Sequence, residues 1–247
     1  MTGAGRLVAS GVHKAFGELI VLHGLDLDVP AGRTTSLLGP SGCGKSTLLR
    51  VLAGFVPVDA GTVTVDGEPV VGPSPARGMV AQSSSLFPWL TVHDNIAYGP
   101  RERREGSTSA VQDMLALTGL SDFAGALPRE LSGGMRQWAA FAQVLVNEPP
   151  LLLLDEPFAA LDAQTRLRLQ EWTLRLLAER PTTTVLVTHD VDEALLLGDR
   201  LGMLTARPSC LARELALDFG SDRGRQTLLD PGFQALKGEV LHQVLGA

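Results

Sequence analysis

Two cysteines, Cys43 and Cys210, are all that the 247-residue chain contains. They lie far apart, with no CxxC pair and no histidine at ligand spacing, so neither a disulfide framework nor a zinc site is expected, only two reduced thiols. Long apolar runs are missing as well. No stretch approaches the roughly 18 residues of a membrane span, and the opening MTGAGRLVAS has no apolar segment long enough for a signal peptide, so a cytosolic chain is expected. Basic charge is scarce: 21 Lys and Arg stand against 27 Asp and Glu, a net charge of −6. That balance argues against nucleic acid as a partner. There is no internal repeat and no low-complexity tract. What is abundant is hydrophobic residues, 45% of the chain, which suffices for one domain with a sizeable core.

The first quarter reads as β-rich, with strands expected near Leu7–Ser10, Ile20–Val29, Thr34–Leu38 and Thr62–Val65 between Gly, Pro and Asp turns. After Pro88 the pattern turns helical at Val92–Ala97, Ser107–Leu117 and Gly133–Val146, with Pro100 and Pro128 as expected breaks. Short apolar runs at Leu151–Leu154, Thr183–Val187 and Leu201–Leu204 then alternate with helical stretches at Ala163–Glu179 and Val191–Leu197. That alternation predicts buried parallel strands in an α/β layer. From Pro231, residues Phe233, Leu236, Val240, Leu241, Val244 and Leu245 recur at helical spacing and predict an amphipathic tail helix packed on the body.

Chemistry begins at Gly39-Pro40-Ser41-Gly42-Cys43-Gly44-Lys45-Ser46-Thr47, between an expected strand and a helical run. Glycines let backbone N–H groups converge on a phosphate chain, and a helix N-terminus adds its positive dipole end. Lys45 would reach the β- and γ-phosphates and Ser46 would ligate Mg²⁺. Chance matches to the four fixed positions arise in on the order of one such chain in a hundred, and the strand–loop–helix context lowers that. Leu151–Leu154 ends in Asp155 and Glu156, a buried strand that would aim one carboxylate at the Mg²⁺ shell and the other at the attacking water. Alone this is a weak signal; beside the phosphate loop it completes a nucleoside triphosphatase site.

Between the two lies Leu131-Ser132-Gly133-Gly134-Met135-Arg136-Gln137. Ser132 can cap the following helix and leave the N–H groups of Gly133 and Gly134 free for an anion. This stretch resembles the signature of the ATP-binding cassette family, and from about Leu7 to the tail the chain is similar to that family's transporter ATPases. The resemblance implies a RecA-like α/β phosphate-loop core with an antiparallel β subdomain and an inserted helical subdomain. Divided accordingly, about 1–87 and 147–230 form the core with its β subdomain, about 88–146 the helical subdomain and about 231–247 a C-terminal helix.

It further implies MgATP as the bound nucleotide, with Gln82 near the metal or water and His189 as a switch on the γ-phosphate. Asp162 would be an inter-subunit aspartate and Phe16 an aromatic ring stacked on adenine. Each has a plainer alternative: Gln82 a polar strand end, His189 structural, Asp162 a helix N-cap, Phe16 a core residue. The implied partners are a second copy closing an ATP sandwich, a membrane-spanning permease that binds near Phe87 and Trp89, and indirectly an extracytoplasmic solute-binding protein. The implied location is the cytoplasmic face of the inner membrane. Leu86–Ile96, Leu161–Arg166 and Asp230–Phe233 resemble bacterial importers of the nitrate, sulfonate and taurine group. Importers of thiamine pyrimidine precursors share the pattern and remain an alternative. The chain stops where sugar-importer relatives continue into a regulatory domain, so internal substrate sensing is not expected. A soluble, non-transport cassette ATPase would need a coiled-coil insertion or a second cassette, and this sequence has neither.

Overall fold

The computed structural model describes residues 4–82, 85–104, 108–220 and 222–245. In chain order its strands are β1 (Leu7–Phe16), β2 (Leu19–Val29), β3 (Thr34–Leu38), β4 (Ala60–Val65), β5 (Glu68–Pro69), β6 (Arg77–Val80), β7 (Leu151–Asp155), β8 (Thr183–Thr188), β9 (Arg200–Leu204) and β10 (Leu211–Ala216). The helices are α1 (Lys45–Ala53), α2 (Val92–Glu102), α3 (Thr108–Leu117), α4 (Gly133–Leu145), α5 (Ala163–Glu179), α6 (Val191–Leu197) and α7 (Pro231–Leu245). Ser107, expected to open α3, lies outside the described residues.

Two sheets follow from two sequence patterns. The first has order β2-β1-β4-β5, is antiparallel throughout, and turns Leu7, Ala9, Val12, Leu25, Leu27 and Val29 inward. The second has order β10-β9-β3-β8-β7-β6, parallel from β9 to β6. Its β3, β7 and β8 are buried at every position, which is why they read as continuous runs rather than alternating ones. Leu48, Leu49 and Leu52 of α1 fill the space between the sheets, against Leu7 and Leu25 on one side and Leu37, Leu153 and Val185 on the other. Each such leucine contributes about 2 kcal/mol by leaving water, so the helix that follows the phosphate loop is firmly seated.

On the other face of the parallel sheet, Ile96, Leu115, Phe141, Phe158 and Trp172 form a second core that joins α2, α3 and α4 to the sheet and α5. A third core, with Leu195, Leu196, Phe233 and Val240, holds α7 on α6 as the tail periodicity predicts.

Two expectations need correction. Pro100 does not break α2; it is buried in that helix's last turn. A proline inside a helix costs about 3 kcal/mol, and the burial of Val92, Ile96 and Ala97 in the α2–α4 core offsets it. The run LARELA, in which no strand was expected, forms β10. It pairs antiparallel with β9 from Leu211↔Leu204 to Ala216↔Arg200, with Arg200 Nε 3.0 Å from Glu214 Oε1 across the pair. Six residues are too few for helix propensity to prevail over an available sheet edge.

Candidate active site

Strands β3, β8, β7 and β6 lie side by side and point the same way, so the loops at their carboxyl ends share one edge of the sheet. In open α/β sheets that edge is where ligands bind. It carries, in order across the sheet, the phosphate loop, His189, Asp155 with Glu156, and Gln82.

The loop after β3 needs glycine for definite reasons. Gly44 has φ 118°, and a Cβ there would stand 2.6 Å from Val21 Cγ1 of the β sheet above it. A Cβ on Gly39 would meet Cys43 Sγ and Leu204 Cβ at 3.0 Å each. Pro40 and Cys43 close the loop through a Cys43 N–H donated to Pro40 O at 3.2 Å, and the Cys43 thiol is buried. No side chain caps α1 at Gly44, so the first N–H groups of α1, through Ser46 and Thr47, face the loop's hollow. Gly42, at φ 75°, and Ser41 form the exposed rim of that loop. Lys45 is buried, and its Nζ donates to Gly39 O at 2.8 Å and Pro40 O at 3.0 Å.

Ser46 Oγ donates to Asp155 Oδ1 at 3.0 Å. Burial pushes the Asp155 carboxyl above its usual range, against the opposing pull of the Ser46 hydrogen bond. Asp155 and Ser46 line a cavity of about 410 Å³ together with Gln82, Arg50 and Phe55. Glu156 has φ 45°, a left-handed conformation rare outside glycine that costs of order 1–3 kcal/mol. The turn aims its carboxylate along the edge, where Oε2 receives Gln82 Nε2 at 3.0 Å and His189 Nδ1 at 3.1 Å. His189 is largely exposed, 56%, whereas Glu156 is 16% exposed. Gln82 and His189 thus share one carboxylate contact, on Glu156.

Six of the sequence-derived residues therefore converge: Lys45, Ser46, Gln82, Asp155, Glu156 and His189. Ser132, Asp162 and Phe16 stand apart and make no hydrogen bond to that cluster among the described residues. Ser132 Oγ accepts from Met135 N at 3.2 Å and caps α4, which leaves Gly133 exposed at the helix N-terminus. Asp162 Oδ1 accepts from Gln164 N and Thr165 N at 3.1 Å and caps α5. The Thr165 hydroxyl and these amides hold its carboxyl below the usual range. Phe16, beside the Gly17–Glu18 turn, is 51% exposed with Lys14 Nζ 5.4 Å from its ring centre. It is not a core residue. Sequence reasoning missed Arg166, Thr188 and Glu193, a cluster behind His189. Glu193, four residues past His189 and capped by Asp190, was detectable as a carboxylate on the buried face of α6.

The donor set suits Mg²⁺, which needs few protein oxygens because phosphates and waters supply the rest. The Ser46 hydroxyl, the Asp155 carboxylate and the Gln82 amide offer such oxygens in one cavity. Among the described residues no cluster of three or more His, Cys, Asp or Glu could hold a metal by itself.

A glycine loop on a helix N-terminus, a buried lysine and a strand-end carboxylate pair define a phosphate-loop nucleotide site. The ABC transporter family profile matches residues 22–159. The taurine import ATP-binding protein of Jannaschia sp. is 41% identical over 236 residues, 92% of this chain and 88% of that one. An aliphatic sulfonates import ATP-binding protein of Burkholderia cenocepacia is 42% identical over 228 residues, covering 92% and 83%. The bicarbonate transport ATP-binding protein of Synechococcus elongatus is 44% identical over 252 residues, 96% of this chain but 37% of that longer protein.

Among solved structures, the dimeric bacterial ABC transporter cassette MJ0796 superposes with a TM-score of 0.78 at 29% identity, covering 87% of this chain and 100% of that one. A post-hydrolysis state of that cassette, bound to ADP and Pi, superposes with a TM-score of 0.77. The chain belongs to the ABC transporter family, as an ATP-binding, ATP-hydrolysing subunit with a RecA-like core, an antiparallel β subdomain and a helical subdomain.

Proposed function

We propose that two copies of this chain close around ATP and drive a permease that imports a small oxyanion-bearing solute of the nitrate, sulfonate and taurine type. The observation that carries the mechanism is the Glu156 carboxylate, held by Gln82 and His189 at the end of β7 beside Lys45 and Ser46. ATP lies along 39–47, where backbone N–H groups and the α1 N-terminus bind its phosphates. Lys45 Nζ exchanges its two loop carbonyls for phosphate oxygens. Ser46, Asp155 and Gln82 would hold Mg²⁺, whose charge would stabilise the negative charge on the transferring phosphate. Glu156 orients the attacking water and takes its proton, and His189 moves between that carboxylate and the γ-phosphate. Ser132, Gly133 and Gly134 approach from the second copy with free N–H groups, Asp162 lies at the contact, and Phe16 stacks on adenine.

On this reading the division at about 87 and 147 sets the helical subdomain apart from the core, and the tail from about 231 covers α6. The permease seats near a cavity of about 390 Å³ lined by Phe87 and Tyr98. Trp89 beside it is 72% exposed, and the Trp89 and Tyr98 ring centres lie 5.7 and 4.6 Å from that of Phe87. The motor therefore sits at the cytoplasmic face of the inner membrane, and a solute-binding protein delivers cargo to the opposite face. The relatives' names, for taurine, sulfonates and bicarbonate, support a small oxyanion as cargo. Uptake assays on the chain reconstituted with a candidate permease and binding protein test it: ATP-dependent uptake of taurine, an alkanesulfonate, nitrate or bicarbonate is expected. Uptake of none of them, by a complex that hydrolyses ATP, would refute the cargo class.

A further inference from the structure

The first turn of α5 touches both halves of the proposed site. Asp162 caps it, and Gly134 packs so close that a Cβ there would stand 2.8 Å from Thr165 Cγ2. One residue on, Arg166 donates from Nη2 to Leu161 O at 3.2 Å and from Nη1 to Asp190 Oδ2 at 3.3 Å. Asp190 directly follows His189 and uses Oδ1 to accept from Glu193 N at 3.2 Å. Thr188, directly before His189, donates its hydroxyl to Glu193 Oε2 at 2.6 Å and accepts from Asp190 N at 3.0 Å. Both backbone neighbours of His189 are thus bonded into one cluster. Arg166 Nε is buried without a hydrogen-bond partner, 3.9 Å from Glu193 Oε1. That distance exceeds a hydrogen bond, and a small turn of the guanidinium would close it. The observed arrangement holds Leu161 O and Asp190, and the buried Glu193 carboxylate lies within reach of a second one.

We propose that Arg166 is a positioning residue that couples the two nucleotide sites of the dimer. Movement of the signature stretch and the Asp162 loop against the partner's nucleotide shifts the first turn of α5. The guanidinium passes that shift to the backbone on both sides of His189, which serves the chain's own nucleotide. Coupling of this kind requires an element with two discrete arrangements that both sites bias. A planar fork can hold the Leu161 carbonyl and the Asp190 carboxylate together, whereas a lysine ammonium cannot reproduce that geometry. The proposal rests on the two-subunit mechanism above, and Arg166 acts in it through Leu161, Asp190 and Glu193.

The underlying mechanism is tested first, by wild-type ATP turnover and by ATP-driven dimerisation of Glu156→Gln; failure there refutes the mechanism itself. Arg166→Ala, Arg166→Lys, His189→Ala and the double variants are then compared for kcat, KM for ATP, Hill coefficient and melting temperature. Each Arg166 variant is expected to lose about tenfold in kcat with little change in KM, and its Hill coefficient to fall toward that of independent sites. Added to His189→Ala, either should cost less than about twofold more, because a residue acting through His189 has nothing left to act on. Arg166→Lys keeps the charge and the aliphatic stem and decides the matter if the alanine variant melts. Wild-type kcat and cooperativity in Arg166→Lys, a loss that multiplies with that of His189→Ala, or a wild-type enzyme without cooperativity would each overturn the proposal.

Discussion

The edge of the parallel sheet and the surface around α4 and α5 are built on opposite principles. Along the sheet edge, hydrogen bonds of 2.8–3.1 Å already hold Lys45 on the loop carbonyls of Gly39 and Pro40, Ser46 on Asp155, and Gln82 and His189 on Glu156. Around α4 and α5, the Ser132 and Asp162 side chains bond, among the described residues, only to the helices they cap, and Phe16, on the other sheet, turns half its surface to solvent. The contrast teaches that one half of the chemistry is preorganised within the chain. In the proposed mechanism the other half acquires its ligand only when a second copy arrives.

The sharpest break of that comparison is Glu156→Gln, which keeps the shape but loses the base. ATP hydrolysis should fall by about 10²-fold or more while ATP binding persists, measured as phosphate release and nucleotide affinity. Near-normal turnover would remove Glu156 from the mechanism. Next comes the exposed half: Ser132→Arg places bulk and charge at the proposed contact. It should leave ATP binding to the monomer intact yet abolish the dimer that Glu156→Gln forms with ATP, read by light scattering, with turnover down about tenfold or more in the wild-type background. A normal dimer would show that the α4 start does not face a second subunit.

A third test concerns the boundary between the halves. Burial raises the Glu193 carboxyl from its ordinary range to about 7, although the Thr188 hydroxyl and Arg166 pull it down. Between pH 4.5 and 7 the folded chain therefore holds a proton that the unfolded chain has released. This contribution to stability is complete below the unfolded value and is lost as pH rises through about 7, at most on the order of 3 kcal/mol. Glu193→Gln should remove that slope, so the gap between the two melting-temperature curves should change from pH 5 to about pH 7 and level off above it; parallel curves from pH 5 to pH 7 would mean that Glu193 does not titrate there. The smallest effect is expected at Phe16→Ala, about three- to tenfold weaker ATP binding from a lost stacking surface. An unchanged affinity would leave Phe16 as a surface ring held by Lys14.

The phosphate loop was legible because its requirements are local: Gly44 must take φ 118° with no room for a Cβ, and Lys45 and Ser46 follow it directly on the helix. The caps at Ser132 and Asp162 were legible for the same reason, since each partner lies within three residues. Continuous apolar runs likewise announced β3, β7 and β8, because strands buried on both faces have no exposed side to mark with polar residues.

Where contacts join distant segments, the sequence offered no comparable signal. Gln82 and His189 meet on Glu156 only because the order β3-β8-β7-β6 sets four strands from distant parts of the chain in parallel register. Arg166 and Glu193 are 27 positions apart and meet because α5 and α6 pack together. Pro100 stays helical, and Leu211–Ala216 becomes a strand, because a packed helix face and an open sheet edge outweigh local preference. Sequence determined what each short segment can do, since backbone freedom and capping act over a few residues. Only the tertiary structure decided which segments act together, since that depends on burial energy summed across the whole core.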